Sequence, residues 1–132
     1  VASSVDRLTA SRKLTATQIA EINAAVAGTE KGRVIVTFLT VEWDAEEYAK
    51  QLVEVLKKCG FDAVLSDHLW VEMKPDGVFL TGTASTLPKA ASAIQRAFAA
   101  AGIVLPVEPP GETAREVGAG PEDAVLVVSN RN

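Results

Sequence analysis

Apolar positions change their spacing several times along this chain, and each change marks a predicted element. "LTATQIAEINAAVAG" (14–28) carries Ile19, Ile22 and Val26 at helical intervals. Thr15 and Gln18 form a capping-box pair, Leu14 and Ile19 a hydrophobic staple, and Gly28 a left-handed stop. "RVIVTFL" (33–39) is apolar at nearly every position, the pattern of a strand covered on both faces. Helical spacing returns through Tyr48, Leu52, Val55, Leu56 and Cys59 and ends at Gly60-Phe61. "FDAVL" (61–65), "GVFLT" (77–81) and "AVLVV" (124–128) read as further strands. Between the last two, a helix runs from Pro88 to Ala101, its apolar face built mostly of alanine, and Gly102-Ile103 repeats the earlier stop. "LWVEM" (69–73) alternates like an edge strand ahead of a turn at Pro75 and Gly77, and Pro106 confines "IVLPV" (103–107) to an edge. "EPPGETAREVGAGPED" (108–123) is loop by composition.

The second helix begins in "VEWDAEEY", one tryptophan among four acids. Asp44 is an N-cap residue type with Glu47 three positions on, and Trp43 and Tyr48 hold the two staple positions. Glu46 and Glu47 complement the positive end of the helix dipole. The acids are therefore predicted to start a helix.

Strand, helix, glycine stop and strand occur at 33–65 and again at 77–107. Two such units build either an open, largely parallel α/β sheet or a ferredoxin-like α+β arrangement. The second leaves one sheet face bare and demands alternating strands. Residues 33–39 and 124–128 do not alternate, so the prediction is a three-layer α/β domain. Its mixed, largely parallel sheet has four or five strands, with helices on both faces. That domain spans 14–132, and 1–13 is a linker or the end of an upstream helix.

The 132-residue length and 48% apolar composition suit one core. A net charge of −4 without a basic patch argues against nucleic acid as a partner. Cys59 is the single cysteine, which excludes an internal disulfide and a cysteine-based zinc site. No run approaches the roughly 20 apolar residues of a membrane span. The first residue is Val1, as in a processed product or an excised domain.

Candidate chemistry is sparse. His68, the single histidine, follows Asp67 near the end of a strand, where Asp44 or Glu42 would have to join it to hold a metal. Cys59 sits at a helix C-terminus, which disfavours a thiolate. "TGTAST" (81–86) joins a strand to a helix start; Gly82, Thr83, Ser85 and Thr86, with Thr40 from a neighbouring turn, form a candidate anion site. The loop lacks the glycine and lysine pattern of a nucleotide-binding loop, and no motif calls for a cofactor, a metal or a catalytic residue. Trp70, on the alternating edge segment, is a candidate contact residue for a partner strand.

"SRKLTATQIAEI", the block ending "LKKCGF", "DGVFLTGTASTLPKAASAIQRAFAAAGI" and "AVLVVSNRN" together resemble a small C-terminal domain of uncharacterised bacterial proteins. The resemblance covers about residues 11–132, and "VEWDAEEYAKQL" matches it only in having acids before the helix. In that family a transmembrane helix and a coiled coil precede the domain. The resemblance thus implies that 1–13 end a coiled coil and that the parent protein is membrane-anchored; it supplies no catalytic residue.

The leading expectation is a non-catalytic interaction or sensing module, soluble and cytoplasmic, on a membrane-anchored parent. Its partner is a protein or a second copy, and it touches a membrane only through upstream residues. The alternative is a small-ligand or anion-binding domain using the 81–86 loop, with an enzyme as a third reading.

Overall fold

A computed structural model describes residues 13–28, 32–40, 42–66, 77–81, 89–108 and 123–129. Their elements are α1 (Ala16–Val26), β1 (Arg33–Phe38), α2 (Ala45–Lys58), β2 (Asp62–Leu65), β3 (Val78–Thr81), α3 (Lys89–Ala100), β4 (Val107–Glu108) and β5 (Ala124–Val128). The strands form one sheet in the order β2-β1-β5-β3-β4. β2, β1 and β5 are parallel, β3 runs antiparallel to β5, and β4 is parallel to β3. This is the mixed, largely parallel α/β sheet that the sequence predicts. Its three adjacent parallel strands, β2-β1-β5, exclude the ferredoxin-like alternative.

Alternate residues of each strand feed opposite faces. Val34, Val36 and Phe38 of β1, Ala63 of β2, Leu80 of β3 and Ala124, Leu126 and Val128 of β5 share one core with α1, α2 and α3. Ile35, Thr37, Phe79, Thr81, Val125 and Val127 face the other way and are buried as well, outside that cluster. All three described helices thus lie on one face. The predicted second helical layer is not among the described residues; the face it would cover is buried along β1, β3 and β5 but open at Asp62 and Val64 of the edge strand β2.

Strand directions explain the shared face. β1-α2-β2 and β3-α3-β4 are both parallel β-α-β units, and they run in opposite directions on either side of β5. A half-turn about an axis normal to the sheet reverses strand direction and keeps the face. The repeat legible in the sequence therefore places α2 and α3 on the same face of the sheet, and α1 packs along α3 and touches α2.

Helix ends follow their local chemistry. Thr15 is extended (φ −81°, ψ 161°); its Oγ1 accepts the Gln18 N–H at 3.1 Å and its own N–H donates to Gln18 Oε1 at 2.9 Å, a complete capping box. Leu14 is buried, and its N–H donates to Gln51 Oε1 on α2 at 2.9 Å. Both glycine stops form as predicted. Gly60 (φ +100°) donates to Lys57 O while Phe61 donates to Leu56 O, and Gly102 (φ +80°) and Ile103 repeat the pair on Ala99 O and Phe98 O. α1 leaves helical geometry at its C-cap Ala27 (φ −60°, ψ 127°), and Gly28 follows in the predicted left-handed conformation (φ +79°).

The fourth strand is shorter and later than its sequence suggests. Only Val107 and Glu108 pair with β3, because Pro106 has no N–H to give a ladder. Residues 103–106 are irregular, fixed instead by Leu105 in the core and by Gln95 Nε2 donating to Leu105 O at 2.9 Å. The predicted edge strand 69–73 and loop 108–123 lie outside the described residues, apart from Glu108 and Asp123.

These ends set separate stability expectations. Thr15→Ala should lower the unfolding free energy by about 0.5–2 kcal/mol. Gly60→Ala should lower it by about 1–2 kcal/mol, since alanine must enter the left-handed region. Urea titrations of both variants check this; an unchanged midpoint for Gly60→Ala would mean that α2 ends differently.

Candidate functional site

β1, β2 and β5 all deliver their carboxyl ends to one edge of the sheet, the place where open α/β sheets present ligands and partners. The ladder continues past the strand ends there. Leu39 N–H donates to Val128 O, Ser66 N–H to Val36 O and Ser129 N–H to Gly77 O, each at 2.8 Å. Three of the four buried polar residues described, Thr37, Asp44 and Ser129, belong to this end of the sheet, whereas Thr81 belongs to the other.

Between β1 and α2 the chain makes two successive turns. Glu42 N–H reaches Leu39 O and Ala45 N–H reaches Glu42 O, each at 3.2 Å, and Glu42 Oε1 accepts the Trp43 N–H at 3.2 Å. The second turn leaves Asp44 in the right-handed helical region (φ −106°, ψ −3°), without a side-chain cap bond. A capping side chain needs an extended backbone such as that of Thr15 to reach the following amides. Asp44 serves the helix through its carbonyl, which accepts from Tyr48 N–H at 3.1 Å. The predicted capping box at Asp44 and Glu47 therefore does not form.

Burial in this turn inverts the usual order. Asp44 is 1% exposed and Trp43 is 59% exposed. Tyr48 joins the core, whereas Trp43, the other half of the predicted staple, is mostly exposed. Beside Trp43, on the outer side of α2, lie Glu46, Glu47 and Lys50; Lys50 Nζ is 3.3 Å from Glu46 and 4.0 Å from Glu47. Pairs this exposed each contribute only about 0.3–0.5 kcal/mol.

Helical phase carried the signal that residue type concealed. Counting back from Leu52 and Tyr48 in steps of four reaches Asp44, on the buried stripe. Counting back from Glu54, Lys50 and Glu47 reaches Trp43, on the polar one.

Of the other sequence candidates, Thr40 is exposed at the end of β1. Thr81, from which the hydroxyl loop departs, pairs at the level of the opposite end of the sheet, next to Glu108. Thr40 and the start of the loop are thus at different ends, and Gly82, Thr83, Ser85 and Thr86 lie outside the described residues. So do Asp67, His68 and Trp70. Cys59 is half-buried as the C-cap of α2, with its N–H on Val55 O. Among the described residues no three His, Cys, Asp or Glu side chains come together as a metal site, and no helix is long and apolar enough to cross a membrane.

Comparison with protein-family models, curated proteins and solved structures returned no match. The turn from Glu42 to Glu47 has a distinctive geometry of its own. It combines an outward indole, a buried carboxylate and a fixed backbone at the open end of a parallel sheet.

Asp44 is then a structural residue of the turn interior. Asp44→Ala should destabilise by about 1–3 kcal/mol, as expected for a change at a buried polar group. Asp44→Ser should lose as much, although serine is an equally good cap. Chemical denaturation separates the two roles: full rescue by serine would restore the capping reading.

Proposed function

We propose that this domain is a non-catalytic interaction module that engages a protein partner through the turn carrying Trp43. The exposure of Trp43 is the observation that supports this reading. Tryptophan is among the side chains most favoured as interface anchors, because its large rigid surface gains much from burial at little entropic loss. Here it is mostly exposed on a turn whose backbone is held by three hydrogen bonds, so little order remains to be gained on binding. Trp70, the contact residue favoured from sequence, is a second candidate for the same role. A membrane-anchored parent protein as carrier of the module rests on the sequence resemblance alone.

Removal of Trp43 tests the proposal. Trp43→Ala should shift the unfolding free energy by less than about 0.5 kcal/mol, as for a surface position. Peptides selected by display on the wild-type chain should at the same time lose binding to the variant by about tenfold or more, the behaviour of an interface hot spot. Equal binding to both proteins would show that the contact surface is elsewhere.

A further inference from the structure

Glu47 is left without the structural task that its position suggests. In a capping box its carboxylate would turn back onto the backbone N–H of Asp44, but that box does not form. The side chain is instead 80% exposed. Its one ion-pair contact among the described residues is Lys50 Nζ at 4.0 Å, and that ammonium lies closer to Glu46, at 3.3 Å. Trp43 precedes Glu46 and Glu47 by three and four residues, the spacing at which side chains on a helical surface are neighbours. The turn thus sets an exposed indole beside two exposed carboxylates. Glu42, whose Oε1 accepts the Trp43 N–H, adds a third carboxylate next to it. The helix dipole accounts for acids in the first turn of α2, but not for an indole among them. Against these acids stand Lys50 and the helix end, which counts for roughly half a positive charge. Among the described residues, the surface around Trp43 therefore stays negative.

We propose that the partner bound by the Trp43 turn is a basic protein segment, with a lysine or arginine side chain held between the Trp43 indole and the Glu47 carboxylate. The proposal rests on the contact role of Trp43 and adds the charge of what is bound. An indole face attracts a cation through its ring quadrupole, and a carboxylate one turn away pairs with the same cation by charge. A neutral side chain gains neither, and an acidic one is repelled. The chain as a whole carries a net charge of −4, so its field draws a basic segment in. Two copies of this turn meeting face to face would set carboxylate against carboxylate, which disfavours a second copy as the occupant.

The test takes peptides selected by display on the full wild-type chain and measures their affinity for charge variants. The selected peptides should be enriched in lysine and arginine. Glu47→Gln should weaken them about threefold and Glu47→Lys about tenfold or more. Glu54→Gln, at another exposed acid of α2 two turns further on, should leave their affinity unchanged. Raising the salt from about 0.1 to about 1 M should also weaken binding severalfold, whereas a purely apolar contact would hold. Peptides without an excess of lysine and arginine, or equal affinity for Glu47→Gln and the wild type, would overturn the basic partner. The Trp43 contact would survive that result if Trp43→Ala still lost binding. Peptides that bind Trp43→Ala as tightly as the wild type, or no selected peptide at all, would overturn the contact role and this proposal with it.

Discussion

Everything described in this fold hangs on one long-range pairing, that of β1 with β5. Val34 to Phe38 lie in register beside Ala124 to Val128, 90 residues away, and all ten positions are buried. β2 attaches to the free side of β1 and β3 to the free side of β5. The alternation of these two central strands decides which residues meet α1, α2 and α3. Arg33 and Asp123, whose side chains approach to 3.4 Å, mark the entry of both strands at the amino end. The pairing is also the costly step in assembly, since so distant a contact brings no gain until the chain between has been ordered.

Much of this was legible because it depends on local chemistry. The bounds of β5 fall where the apolar run begins and ends, and the capping box at Thr15 and the glycine stops at Gly60 and Gly102 form as their residue types require. The side of the sheet on which the helices lie was not legible. The continuous apolar pattern of residues 33–39 announces burial on both faces, which is found, but does not say what provides it. That depends on strand direction, and the antiparallel step from β5 to β3 has no sequence signature. β4 shrank for the opposite reason: proline chemistry was visible, yet the side-chain tie from Gln95 to Leu105 that replaces the ladder was not.

At the carboxyl end of β1 the same distinction separates what was readable in the site. Residue type made Asp44 a cap and Trp43 a staple, whereas the two-turn backbone puts Asp44 in helical geometry and turns its side chain inward. Propensity gave way to tertiary placement, which helical phase encodes and cap rules do not. Violations of residue preference concentrate at functional positions in proteins, because a fold alone gains nothing from exposing an indole and burying a carboxylate. The 82–86 loop lies outside the described residues, and only Thr81, from which it departs, is placed, at the opposite end of the sheet from Thr40.

The outward position of Trp43 carries the proposed contact surface, and fluorescence reads it directly. In a Trp70→Phe background the emission comes from Trp43 alone. The expected result is a red-shifted, water-like emission that acrylamide quenches nearly as well as it quenches free indole, with the protein fully folded. A blue-shifted emission protected from the quencher would place Trp43 in the core and contradict the inverted turn on which the proposed contact surface is built.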